Sequence, residues 1–289
     1  MDYLDWRLLS ALLSGVILSW AGSLIQVGTR NVLASPSTLG IEGLTVLWIL
    51  VMHSVGVAFG ISPEWMVIPG LAVFALGGHL LSRVLGKELK TERVLFLGLT
   101  LNLLVGAIFS LWQFLFMAYN LPFPTEVWFG NFRFVDQRAV LLLVCYAFLL
   151  VLLLKLKWKA LRLYSLGPAV SRAYGLELGS LYSFFFLFAF TGTFLVTSLF
   201  GAFSFLGLLF PLLARKVWFR KADLFGEFIP GALVNGCVFM ALDFVCYQYP
   251  VMGAEIPVGL VASVMGALCL IGVLLKGRLG ADFLANARK

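Results

Sequence analysis

"GAFSFLGLLFPLLARK", residues 201–216, decides how many times this chain crosses a membrane. It opens on Gly201, carries Pro211 near its end and stops at Arg215–Lys216. As a helix, its apolar part spans roughly 22 Å, short of the ~30 Å hydrocarbon core of a bilayer. The segment before it is apolar too, and no charged residue occurs over the 37 positions from Leu178 to Ala214. One crossing takes about 20 residues and two take about 40. The flanks are basic on both sides: Arg172 before, and Arg215, Lys216, Arg220 and Lys221 after. Basic residues gather on the cytoplasmic side, so the run crosses an even number of times. It reads as a hairpin that turns near Gly201–Ser204, with the quoted stretch as the short return leg.

The rest of the chain supports that reading. Hydrophobic residues make up 61% and charged residues only 12%, against about 25% charged in a soluble domain. This is the composition of an all-α integral membrane protein. Further apolar runs cover Leu8–Thr29, Gly43–Pro63, Trp65–Ser82, Val94–Ala118, Ala139–Leu154, Phe228–Leu242 and Ile256–Leu275. With the hairpin counted twice, nine spans result. Nine spans place eighteen of the 21 Lys and Arg on the cytoplasmic face and leave Arg7, Arg133 and Arg138 outside. The N-terminus is then outside and the C-terminus cytoplasmic. Four spans (8–118) begin outside, one linking span (139–154) follows a long outer loop, and a cytoplasmic loop (155–180) leads to four spans (181–276) that begin inside. Residues 1–289 thus read as one transmembrane domain built of two inverted four-helix repeats, a layout that places a transport path between halves.

Several function classes drop out. The net charge of +7 is explained by membrane topology and needs no nucleic acid. "MDYLDWR" is acidic and no small-residue cleavage site follows, so no cleavable signal peptide is read. Cys145, Cys237, Cys246 and Cys269 are scattered without C-x-x-C spacing, which argues against disulfides and a metal site. The two His lack H-x-x-x-H spacing, and no G-x-x-x-x-G-K-[ST] loop is present. No catalytic constellation, metal or cofactor is expected, and the chain does not cradle ATP phosphates in the manner of that loop.

Four stretches, in order, resemble the FecCD-type permeases. "LSGVILSWAGSLIQVGTRNVLASPSTLG" (13–40) resembles their Gly-rich helix followed by Arg-Asn-Pro-Leu-Ala-x-Pro and Leu-Gly. "LYSLGPAVSRAYGLELG" (163–179) resembles their Leu-Gly…Ala-Arg-x-Leu-Gly loop. "GAFSFLGLLFPLLAR" (201–215) resembles their Gly-x-Ile-Gly-Phe-x-Gly-Leu-x-x-Pro-His-x-x-Arg, and "AEIPVGLVASVMGALCLIGVLLK" (254–276) their Glu-Leu-Pro-x-Gly ending. These permeases are membrane subunits of ATP-binding-cassette importers for iron-siderophores, haem and cobalamin. The resemblance implies ten spans; the nine read here match the second to the tenth, so that either a shorter form is expected or the true start lies upstream. The chain departs from the pattern at Val32, where the family has Pro, and at Leu212, where the family has His.

The resemblance also implies partners and roles. The expected assembly is a second permease chain, identical or homologous, two ATPase subunits and an extracytoplasmic substrate-binding protein, in a bacterial cytoplasmic (inner) membrane. The loop holding Gly167, Pro168, Ala169, Arg172, Ala173 and Gly175 would dock on the ATPase. Pro168 suits a first helical turn, "AVSRAYG" makes about two turns, and Gly175 suits a left-handed stop; the plain alternative is a basic cytoplasmic loop. Arg7 would meet a carboxylate of the binding protein, or else anchor the interface beside Trp6. Ionisable groups in spans are functional candidates because lipid burial is costly. Asp243 reads as an interhelical acceptor and Glu42 as a water-facing residue at a span end. His53, Asn102 and Asn235 read either as path-lining groups or as interhelical polar contacts. The cargo expected first is a ferric siderophore, with haem or cobalamin after it. An ion-coupled secondary transporter with inverted repeats, or a zinc- or manganese-type permease, is the alternative.

Overall fold

The computed structural model describes residues 3–59, 67–85, 91–120, 127–165, 168–213, 227–251 and 253–275. Within them the chain folds as α1 (Tyr3–Thr29), α2 (Ile41–Phe59), α3 (Val67–Leu85), α4 (Thr91–Ala118), α5 (Gln137–Ser165), α6 (Pro168–Ala173), α7 (Leu178–Phe200), α8 (Leu206–Leu213), α9 (Ala232–Gln248) and α10 (Val258–Leu275). A π-helical turn, Glu227–Gly231, leads into α9. Five helical stretches are long and apolar enough to cross a membrane: Tyr3–Thr29, Leu95–Ala118, Gln137–Tyr164, Leu178–Phe200 and Phe228–Gln248. Ile41–Gly56, Val67–Arg83 and Val258–Gly272 are shorter apolar helices. With the eight-residue α8, each expected span has a helix at its place.

The hairpin turn falls where its charge flanks put it. α7 stops at Phe200, and Gly201 takes φ +88, in the left-handed region that glycine tolerates. Its amide donates to the Thr197 carbonyl at 2.9 Å. Phe205 takes φ +70, and α8 starts at Leu206. Gly167 and Arg215–Lys216 lie outside the described residues. One boundary differs from expectation. α5 continues past Leu154 to Ser165, so the first part of the 155–180 stretch is helix rather than loop. Lys, Leu and Arg are good helix formers; the charges end contact with hydrocarbon without ending the helix.

Two aromatic residues mark the ends of the bundle. The Tyr3 hydroxyl donates to the Phe132 carbonyl at 3.2 Å, and the Phe132 ring lies 4.7 Å from that of Phe200. At the other end, the Tyr164 hydroxyl donates to the Gly28 carbonyl at 3.2 Å and the Tyr182 ring lies 6.0 Å away. The start of α1 therefore lies with the end of α7, and the two helices are antiparallel. The ends are called here the Arg7 end and the Arg30 end.

Helix packing follows an exchange rule. α1 packs most extensively on α9, and α7 on α3; α1 also packs on α8 as α7 does on α2; α2 meets α4 as α8 meets α10. Swapping α1–α4 for α7–α10 in order maps each pair onto its counterpart. The swap carries α1 onto an antiparallel helix, as an inverted pair of halves requires. The connections obey it as well. Loop 31–40 turns back along α4: Asn102 donates from Nδ2 to the Ser37 carbonyl at 2.6 Å, and Asn102 is eleven residues, roughly 16 Å, along α4. Loop 201–205 turns back along α10, where Ser263 Oγ donates to the Ser204 carbonyl at 3.5 Å.

The seam between halves is tight because two residues of the opening stretch cooperate. Pro211 has no amide hydrogen, so the carbonyl of Gly207, four residues earlier, loses its helical donor. That carbonyl faces Gly22 of α1 so closely that a Cβ on Gly22 would collide with it. A Cβ on Gly207 would come within 2.8 Å of Pro36. Loop 31–40, α1 and α8 therefore meet backbone to backbone.

Candidate functional site

At the Arg7 end, a charged cluster joins α1, α9 and the segment before α10. Arg7 Nε and Nη2 donate to Asp243 Oδ2 and Oδ1 at 2.8 and 3.0 Å, and Nη1 donates to Glu255 Oε2 at 2.7 Å. The guanidinium also lies 4.8 Å from the centre of the Tyr247 ring. Arg7 is 2% exposed and Asp243 fully buried, while the Glu255 side chain is 31% exposed. The planar fork of arginine matches a carboxylate in two parallel bonds, so α1 is clamped to α9 by charge. Arg7 was expected to face a partner outside; it faces inward, because two carboxylates occupy its donor edges. Asp243 is an interhelical acceptor as expected, but its donor is a guanidinium rather than a backbone or hydroxyl group.

At the Arg30 end, the cluster surrounds Tyr164 in the last turn of α5. Tyr164 is 1% exposed. Its hydroxyl reaches Gly28 and its ring packs edge-on to Tyr182 and Phe185. Arg30 adopts φ +53, which folds its side chain back over the Tyr164 ring at 5.1 Å, where Nη2 donates to the Tyr164 carbonyl at 3.3 Å. A cation over an aromatic face is favourable. The short α6 hangs from this joint: Ser171, fully buried, donates from Oγ to the Leu163 carbonyl at 3.1 Å. Arg172, Ala173, Tyr174 and Gly175 are exposed. Pro168 opens α6 and Gly175 closes it at φ +73, with its amide bonded to the Arg172 carbonyl at 2.9 Å. A short helix thus exists at the expected place, anchored through Ser171 and with Arg172 exposed.

Between the ends lie the polar groups that sequence left ambiguous. Asn102 pins loop 31–40 to α4 through Ser37. Asn235 donates to Ser19 Oγ and to the Phe210 carbonyl, both at 3.0 Å, joining α9, α1 and α8. Asn235 is thus an interhelical contact and Asn102 a contact between a helix and a loop. His53 lines a small cavity of about 80 Å³ with Trp48, Met52, Val67, Phe194 and Ser198, and its Nε2 has no hydrogen-bond partner. Glu42 departs most from expectation. It is 4% exposed rather than water-facing. Glu42, Val46 and Leu50 share one face of α2, and Val46 and Leu50 pack with Ala202 of loop 201–205. Ser204 of the same loop faces the Glu42 carboxyl, yet neither oxygen has a hydrogen bond of ordinary geometry. Among the described residues, no group of three His, Cys, Asp or Glu is placed to hold a metal ion.

The FecCD transport family matches residues 4–276. The chain belongs to that family. Among similar curated members, the vitamin B12 import system permease protein BtuC of Photorhabdus laumondii is 27% identical over 94% of this chain and 80% of its own length. The iron(3+)-hydroxamate import system permease protein FhuB of Salmonella typhimurium is 28% identical over 95% of this chain, which spans only 40% of that longer protein. Among solved structures, a chain described as a metal-chelate type ABC transporter, inward-facing, shares the fold with a TM-score of 0.75 at 23% identity, over 94% of this chain and 85% of that one. PsaBC from Streptococcus pneumoniae, in complex with a Fab, aligns at a TM-score of 0.60 and 13% identity over 92% and 89% of the two chains. As a FecCD member, this chain is a multi-pass transport permease.

Two groups of this FecCD member escaped sequence reasoning. The Arg7–Asp243 pair was within reach: topology places both charges at one end of the bundle, where a buried arginine and a buried aspartate must find each other. The Arg30–Tyr164 joint was not, because it depends on a left-handed residue at a helix end, which no periodicity reports.

Proposed function

We propose that this chain is the membrane-spanning permease subunit of an ATP-binding-cassette importer, and that its cargo is a metal chelate or corrinoid of the ferric-siderophore, haem or cobalamin class. The observation that carries the proposal is the family match over 4–276 together with packing that exchanges α1–α4 for α7–α10. Two such permeases enclose a path. Two ATPase subunits dock on the exposed side of α6 at Arg172, with Gly167, Pro168, Ala169, Ala173 and Gly175 shaping that loop. An extracytoplasmic binding protein delivers the cargo at the Arg7 end, which places the N-terminus outside and the C-terminus in the cytoplasm of a bacterial inner-membrane protein. ATP-driven closure pushes α6, and the Arg30–Tyr164 joint passes the push to α1 and the central seam. A docking role for Arg7 requires one of its pairs to open. Arg7–Glu255 is the pair suited to exchange, since Glu255 reaches solvent.

One observation favours the ion-coupled alternative: the Glu42 carboxyl is buried without a hydrogen bond of ordinary geometry, and ionisable groups buried in spans are functional candidates. One experiment separates the two. The chain is purified from its native membrane and its associates identified, then reconstituted for uptake of ferric hydroxamate and of cyanocobalamin. The importer reading expects an ATPase to co-purify and uptake of one ligand to require ATP. Uptake driven by an ion gradient without any ATPase refutes it.

A further inference from the structure

Near the Arg30 end of α5, an open groove of about 250 Å³ is lined by Val151, Leu154, Trp158 and Ile229, with Lys155 at its mouth. Leu154 is buried and Val151, Trp158 and Ile229 are half-buried, so the groove wall is apolar. Lys155, Lys159 and Arg162 are exposed and spaced i, i+4 and i+7, on one face of the helix. An apolar slot therefore runs directly into a row of cations. The change from one to the other occurs where the hydrocarbon-facing part of α5 ends: Phe148, Leu149 and Leu152 are exposed apolar residues just before it, and Trp158 has the amphipathic character that suits a membrane interface.

We propose that this groove is a binding site for an anionic glycerophospholipid, whose acyl chain lies between α5 and the turn before α9 and whose phosphate is held by Lys155 with Lys159 above it. Charge complementarity selects the occupant. A zwitterionic lipid fills the slot equally well but gains less from the two lysines, and each basic group near an anionic surface is worth roughly fivefold in binding. The site sits on the same helix as Tyr164, one to three turns from the root of α6. A lipid there stiffens the element from which α6 hangs. The proposal requires only that α5 crosses a membrane, so it stands or falls separately from the importer assignment.

The test uses the full chain in bilayer discs and reads tryptophan emission against phospholipids brominated on the acyl chain. W158F defines which part of the quenching belongs to Trp158. That part is expected to be severalfold greater with phosphatidylglycerol than with phosphatidylcholine, and K155Q/K159Q is expected to abolish the difference. Native mass spectrometry of detergent-released protein gives a second reading: phosphatidylglycerol retained by the wild type is lost from K155Q/K159Q, whose substitutions are on the surface and leave folding intact. Equal quenching by both lipids overturns the proposal. So does quenching that W158F leaves unchanged, which means protein fills the groove, or lipid retention that ignores the two lysines.

Discussion

Replacing Asp243 with Asn removes the charge facing Arg7 and keeps the side chain's shape. Asp243 is fully buried and Arg7 2% exposed, so the arginine left behind has little access to water. Two unit charges about 4 Å apart attract by roughly 4 kcal/mol at an effective dielectric near 20. Removing one side of such a pair costs about 3–5 kcal/mol, because a buried charge remains uncompensated. Glu255 softens the loss, but its bond to Arg7 is solvent-accessible and such pairs contribute about 0.2–1 kcal/mol. D243N is therefore expected to destabilise by about 3–5 kcal/mol and E255Q by less than about 1 kcal/mol. R7M alone strands Asp243 and costs about as much as D243N. R7M/D243L removes both charges and returns close to wild-type stability, since buried pairs replaced by apolar groups are often neutral. The assay is reversible unfolding in mixed micelles by titrated dodecyl sulfate, followed by helical circular dichroism. Additive losses in the double variant would refute the reasoning, as would E255Q proving as damaging as D243N.

Three further outcomes follow from the same structure. G22A forces a Cβ against the Gly207 carbonyl and is expected to cost about 1–3 kcal/mol; an unchanged melting midpoint contradicts the close approach of α1 and α8. E42Q replaces a buried carboxyl that makes no hydrogen bond of ordinary geometry, and its melting midpoint at neutral pH is expected to hold or rise; a marked fall contradicts the absence of a stabilising partner for Glu42. Y164F removes the bond to Gly28 and costs about 1 kcal/mol. R30A also loses the stacked cation, worth about 0.5–1 kcal/mol. In the assembled transporter, both are expected to lower cargo moved per ATP while ATPase turnover persists; a parallel fall in the two rates contradicts a transmitting role.

The architecture was legible where membrane physics constrains it. Charge required a hairpin with its turn near Gly201–Ser204, since a 37-residue apolar run with basic flanks on both sides has few other solutions. Gly175 and Pro168 bounded α6 correctly because their backbone preferences are local. Legibility failed at contacts set by tertiary geometry. The end of α5 was drawn at Lys155, where hydrocarbon contact stops, although the helix runs to Ser165. Glu42 was taken as water-facing because a helix start usually is; here loop 201–205 folds over it from the other half of the chain. Asn102 and Asn235 gave no sign of which neighbours they join, since an amide in an apolar helix serves a path or a contact with the same spacing.

The pairing of α1 with α9 has a consequence for biogenesis. Arg7 and Asp243 are separated by 236 positions. A ribosome adding roughly 5–20 residues per second needs about ten to fifty seconds to make the second after the first. Throughout that interval α1 sits in the bilayer with its guanidinium unanswered and its close-packing face uncovered. Its arginine lies one turn from the helix start, near enough to the aqueous boundary to wait there hydrated. The polypeptide thus enters the membrane as a sequence of provisional insertions, and its first helix becomes native only when the ninth arrives.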